Sequence, residues 1–106
     1  FAIQTQSMGI FSNIKSLLFG PEVDYAELVL DGAVIVDVRS PEEFKMGHSV
    51  GAQNIPLPEF KGKAKSLAGK EVILVCQSGM RAGSAKAILS SQGIKSYNAG
   101  SWTKLA

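Results

Sequence analysis

The sequence predicts an α/β domain built on a mainly parallel sheet, and three observations carry that expectation. Two runs, Ala33-Val34-Ile35-Val36-Asp37-Val38 and Val72-Ile73-Leu74-Val75-Cys76, are almost continuously apolar and rich in β-branched residues. Strands covered on both faces read this way. Segments with helical apolar spacing stand before, between and after these runs. Glycines and prolines mark the joints and no repeat is visible, so strands and helices alternate along the chain.

The bulk properties narrow the function classes. A chain of 106 residues fits one domain with one modest core, and 45% hydrophobic against 19% charged residues suits a globular fold. The net charge of +2, from 11 Lys+Arg against 9 Asp+Glu, is too small to point to nucleic acid. The single cysteine excludes an internal disulfide, and with the single histidine it falls short of the roughly four ligands of a structural zinc site, so no metal is expected. A free thiol suits a reducing compartment, so a cytoplasmic location is expected.

Residues 1–7 show no periodicity and precede Met8, so they read as an expression remnant. Residues 8–20 read as an amphipathic helix with Ile10, Ile14, Leu17 and Leu18 on one face. It is too short to span a membrane, so no integral membrane segment is expected. Packing on the domain is its expected role, with membrane-surface contact or dimerisation as alternatives. Gly20-Pro21 ends it, and a single domain over 21–106 follows. A helix starts at Asp24 with Glu27 three positions on as a capping box, and Ala26, Leu28, Val29 and Leu30 are its apolar side. Asp31-Gly32 turns into the first strand.

Ser40-Pro41-Glu42-Glu43 is a helix start, with serine as cap, proline in the first turn and Glu43 completing a capping box. Phe44 is expected to face the core and Gly47 to stop the helix. Gln53-Asn54-Ile55 reads as a short strand ended by Pro56 and Pro58, and Glu59 to Leu67 as weakly helical. Lys61, Lys63, Lys65 and Lys70 read as a solvated face, with attraction of anions as the weaker alternative. Past the second strand, Ala82, Ala85, Ile88 and Leu89 share one helical face and Gly93 is its stop. Ile94 to Asn98 reads as a last short strand, and Gly100-Ser101-Trp102 as the start of a final turn.

The chemistry is expected at Cys76-Gln77-Ser78-Gly79-Met80-Arg81. A buried strand runs into the cysteine, a short loop with one glycine follows, and a helix begins at about Arg81. Such a loop points successive backbone N–H groups at one spot, where the helix dipole also favours negative charge. A thiol there has its reactive thiolate form stabilised. The competing reading is a core cysteine acting as a small hydrophobe. Gln77, Ser78 and Gly79 do not continue a core, and Arg81 adds a fixed positive charge, which favours the nucleophile. As a loop residue, Cys76 is expected to add little to packing. Asp37-Val38-Arg39 ends the other apolar run, and in parallel sheets ligands bind beyond such strand ends. His48, in a turn, reads as a hydrogen-bonded structural residue.

These residues resemble the rhodanese family. The run Ile35 to Phe44, then Gly47-His48, Gly51-Ala52 and Asn54-Ile55-Pro56, is similar to the first half of a rhodanese domain. Val75-Cys76-Gln77-Ser78-Gly79-Met80-Arg81-Ala82 resembles its active-site loop, and Gly100-Ser101-Trp102 its C-terminal motif, with Ser101 where a second glycine is usual. The resemblance covers about residues 22 to 106. It implies a central, mostly parallel five-stranded sheet flanked by helices on both faces. It also implies transfer of a sulfane sulfur through a persulfide on Cys76, from thiosulfate or another small anionic sulfur donor to a thiol acceptor or cyanide, without metal or organic cofactor. Gln77, Ser78, Gly79, Met80 and Arg81 are then the substrate loop, and Asp37, Arg39 and His48 are supporting residues. The same family includes persulfide carriers and binding modules without turnover of their own, so a sulfur-relay protein is an alternative partner. A cysteine-dependent phosphatase is disfavoured. Its site resembles a cysteine and an arginine separated by five residues, and here Gln77 to Met80 are four.

Overall fold

A computed structural model describes residues 23–105. The readings of residues 1–7 and 8–20 lie outside the described residues. In chain order the elements are α1 (Tyr25–Leu30), β1 (Val34–Asp37), α2 (Pro41–Met46), β2 (Gln53–Asn54), α3 (Leu57–Lys63), a 3-10 turn (Ala64–Leu67), β3 (Val72–Cys76), α4 (Met80–Ser91), β4 (Ser96–Ser101) and a second 3-10 turn (Trp102–Leu105). The strands form one parallel sheet in the order β2-β1-β3-β4. The sheet has four strands among the described residues, not the five implied by the resemblance. Four is also the number of strand-like segments in this part of the chain.

Side chains alternate across a strand, and both faces of this sheet are covered. Val72, Leu74 and Cys76 of β3 join Val36 and Val38 against Phe60, Ala64, Leu67, Ala82, Ala85 and Leu89 of α3, its 3-10 extension and α4. Ile73 and Val75 point the other way and pack with Ile35, Ala99, Tyr25, Leu28, Trp102 and Leu105. All five residues of β3 are buried, which is why that run lacks polar alternation. The same alternation sends the Cys76 side chain to the α4 face of the sheet.

One of the two expected capping boxes forms in full and the other in half. Asp24 accepts from the Glu27 N–H at 3.1 Å and starts α1. Ser40 and Glu43 form a complete capping box on α2. Two apolar expectations are corrected. Helix α1 buries no residue: Tyr25 and Leu28 pack half-buried on the sheet, whereas Ala26, Val29 and Leu30 are exposed. A six-residue helix offers only one i, i+3 pair to a flat sheet, so the wide apolar side has no surface to cover. Phe44 does not enter the core. It is half-buried and stacks on His48 with ring centroids 3.7 Å apart, and α2 contributes no residue to either core cluster. Strand β4 extends to Ser101, beyond the Asn98 expected from sequence. Lys61, Lys63, Lys65 and Lys70 are all exposed, and Lys63 pairs with Glu59. Among the described residues no helix is long and apolar enough to cross a membrane.

Candidate active site

Cys76 is the last residue of β3, and α4 starts four residues later at Met80. Between them the chain turns through exposed Gln77 and Ser78 to Gly79, which caps α4 at φ +103°. That conformation suits glycine. A Cβ there would also meet the Gly100 Cα at 3.3 Å, so the loop and β4 touch backbone to backbone. The turn folds the first amides of α4 back over the cysteine. The Gly79 N–H donates to Cys76 Sγ at 2.9 Å and the Ala82 N–H at 3.5 Å. Two backbone donors and the positive end of a helix therefore face one sulfur, an arrangement that favours negative charge on it. Met80 is exposed beside this turn.

Cys76 is only 1% exposed and belongs to the α4-side core. The expectation that it packs little is corrected, because the residue ends the strand rather than riding on the loop. Cys76 is thus a core residue with two N–H groups at its sulfur.

Arg81 reaches across to α2. Its two terminal nitrogens donate to the two Glu43 oxygens at 2.7 and 3.0 Å. Glu43 Oε1 also accepts from the Ser40 N–H and hydroxyl at 3.1 Å each. The capping-box carboxylate thus joins two distant motifs: it caps α2 and holds the first turn of α4. The hydrogen bond to Glu43 pushes the Arg81 guanidinium pKa up, partial burial opposes that, and the charge of Glu43 adds to the rise. On Glu43 the Arg81 hydrogen bond, reinforced by the Ser40 N–H, lowers the carboxyl pKa to about 2. A carboxylate pKa depressed on folding stabilises the fold above its unfolded value, and that contribution is lost as pH falls. The stability difference between the parent and Glu43→Gln should therefore be full at neutral pH and shrink from about pH 4.5 down to about 2. Paired urea titrations across that range check this, and a difference independent of pH would contradict it.

Asp37 and Arg39 form a buried pair at the end of β1, 0% and 3% exposed. Arg39 Nε lies 2.9 and 3.0 Å from the two carboxylate oxygens, and Nη2 lies 2.7 Å from Oδ2. The same Nη2 donates to the Gly47 carbonyl at 2.7 Å, and the guanidinium lies 4.7 Å over the Trp102 ring. A Cβ on Gly47 would approach that ring to 3.0 Å, so a side chain there requires the indole to give by a few tenths of an ångström. The Ser49 hydroxyl donates to the Trp102 carbonyl at 3.0 Å. Asp37 and Arg39 thus tie the segment after α2 to the C-terminal turn. His48 is exposed, and its contacts are to Phe44: the ring stack and Nδ1 at 2.7 Å from the Phe44 carbonyl.

The structure therefore gathers Cys76, Gly79 and the α4 amides at the sulfur, sets Arg81 beside them on Glu43, and places Asp37, Arg39 and His48 in the neighbouring framework. Sequence reasoning missed two residues. Glu43 was read only as a cap, because a capping box accounts for that glutamate locally. Asn98 was read only as the end of a strand, yet its side chain donates to the Gly79 carbonyl at 2.8 Å. An amide side chain just before Gly100 was the only signal available for it.

With this geometry in view, known proteins give a consistent comparison. A family model described as Rhodanese-like domain matches residues 23–105. Among curated relatives, the uncharacterized protein YqhL of Bacillus subtilis is 42% identical over 58% of this chain and 49% of its own length. The thiosulfate sulfurtransferase PspE of Escherichia coli is 43% identical over 55% of this chain and 59% of its own. The matches thus span about half to three-fifths of these relatives. A solved structure described as a rhodanese with anions from E. coli superposes with a TM-score of 0.65 at 35% identity, covering 71% of this chain and 93% of that one. The family match runs from just before α1 to the last described residue, and the chain belongs to the rhodanese-like domain family.

Proposed function

We propose that this chain is a sulfurtransferase that carries a sulfane sulfur on Cys76. The observation that carries the reading is the Cys76 sulfur at a strand end, facing the Gly79 and Ala82 N–H groups at the start of α4. In the first half-reaction the thiolate attacks the outer sulfur of thiosulfate. A new S–S bond forms to Cys76, the S–S bond of the donor breaks, and sulfite leaves with the electron pair. The terminal persulfide sulfur then carries the negative charge, which the α4 amides and dipole stabilise. In the second half-reaction a thiolate acceptor, or cyanide, takes that outer sulfur and returns the Cys76 thiolate. A covalent intermediate shared by two half-reactions predicts ping-pong kinetics.

Gln77, Ser78, Gly79, Met80 and Arg81 form the loop around the donor in this reading. Arg81 contributes positive charge from the edge while Glu43 fixes its direction. Asp37, Arg39 and His48 maintain the rim. The relative named as a thiosulfate sulfurtransferase supports the reaction class.

Intact mass measured after incubation with thiosulfate, with and without cyanide, tests the reading. The expected result is a gain of one sulfur that cyanide removes. A free thiol that gains nothing from thiosulfate but accepts sulfur from a protein persulfide would instead make the chain a carrier in a sulfur relay. A thiol inert to both would defeat the reading.

A further inference from the structure

Asn98 is exposed and lies outside the cysteine loop, yet it is the side chain that reaches that loop from β4. It sits at an irregularity in the sheet. Leu74 pairs with Asn98 and Val75 with Gly100, so Ala99 is an extra residue in β4. Bulges of this kind change the aim of a strand and occur beside active sites. The Asn98 Oδ1 accepts from the Gly100 N–H at 2.9 Å, a local bond of the sort that asparagine makes in turns. The Nδ2 bond is different in kind. It crosses to the Gly79 carbonyl, 19 residues away in sequence, at 2.8 Å. That carbonyl also accepts the Gly83 N–H at 2.9 Å, the first bond of α4.

Gly79 is the residue whose own N–H meets the Cys76 sulfur. At φ +103° it is outside helix and sheet geometry, and glycine alone offers the backbone no steric preference for staying there. Two donors on its carbonyl, one from α4 and one from Asn98, fix the Gly79–Met80 peptide plane, one Cα away from the Ser78–Gly79 plane that carries the N–H. We propose that Asn98 is a positioning residue for sulfur transfer: from the β4 bulge it anchors the Gly79 carbonyl, on the peptide next to the one whose N–H meets the sulfur, and so helps keep the Gly79 N–H aimed at Cys76. The inference rests on the reading of Cys76 as the sulfur carrier.

Two substitutions and two readouts test it. Asn98→Asp keeps an acceptor for the Gly100 N–H but loses the donor to Gly79, and Asn98→Ala loses both. The readouts are the rate of persulfide formation from thiosulfate as a function of pH, and the ultraviolet absorbance of the thiolate against pH with Cys76→Ser as the blank. Loss of one aimed N–H from a charged sulfur should slow loading at neutral pH by about three- to tenfold in both variants. The deficit should narrow as pH rises, and the thiolate absorbance should appear at higher pH than in the parent. Unmoved pH profiles, with or without a lower melting temperature, would confine Asn98 to the bulge and overturn the proposal. A parent that takes up no sulfur, with the thiolate titration still moved by both substitutions, upholds the positioning of the sulfur and defeats thiosulfate as the donor.

Discussion

Cys76→Ser is expected to take up no sulfur from thiosulfate and to lose transfer to cyanide entirely, while folding like the parent. The serine oxygen occupies the end of β3, accepts from the Gly79 and Ala82 N–H groups as the sulfur does, and keeps most of the volume that closes the core beneath α4. It cannot form a persulfide. Cys76→Ala is the less clean variant. It removes a buried atom and leaves those two N–H groups without their acceptor, at a cost of about 1–3 kcal/mol for unsatisfied donors. A chain with one cysteine offers no second thiol to confuse the result. Intact mass and thiocyanate formation, with urea unfolding of both variants, check the expectation. Sulfur uptake by Cys76→Ser would exclude a persulfide at this position.

The largest expected loss of stability comes from Asp37→Asn. The Asp37–Arg39 pair is buried, and the guanidinium has the carboxylate, the Gly47 carbonyl and the Trp102 ring as its surroundings. Removing the carboxylate charge leaves an uncompensated cation in the interior, which costs about 3–5 kcal/mol where such pairs have been broken. That is a large part of the roughly 5–15 kcal/mol that holds a small domain together. Replacing both residues, as in Asp37→Leu with Arg39→Met, should recover much of the loss, because no buried charge is then left alone. The exposed Lys63–Glu59 pair provides the contrast, with side chains 56% and 52% exposed, and its removal should cost less than about 1 kcal/mol. Urea unfolding of the single and double variants measures the difference. A loss below about 1 kcal/mol for Asp37→Asn would put the pair in the same class as that surface bridge.

Cys76→Ser, Asp37→Asn and the pH dependence of Glu43→Gln separate three layers of the site. In the proposed reaction Cys76 carries the sulfur and the amides of α4 meet its charge, and the Asp37–Arg39 and Glu43–Arg81 pairs join the segments that surround it. Two ion pairs of similar length therefore have different consequences. The half-exposed Glu43–Arg81 pair ties α2 to the first turn of α4, whereas Asp37–Arg39 is enclosed and its loss threatens the fold.

Much of this was legible in the chain itself. Continuous apolar runs identified β1 and β3, because strands buried on both faces have no reason to alternate. Asp24 and Ser40-Pro41-Glu42-Glu43 marked helix starts through bonds that span three residues. Cys76 at a strand end before a glycine loop marked the candidate nucleophile, and the loop-to-helix geometry that follows is set by neighbours in sequence. What only the tertiary structure decided depends on partners far apart in the chain. Strand parity turns Cys76 to the α4 side and buries it, which loop-like sequence cannot show. Arg81 meets Glu43 across 38 positions and Asn98 meets Gly79 across 19, because the parallel order β2-β1-β3-β4 brings strand ends together at one edge. Periodicity and capping signals extend over a few residues, so they specify elements and not their pairings. The bulge at Ala99, the exposed side of α1 and the four-strand sheet are consequences of register and of the surface each element finds to cover.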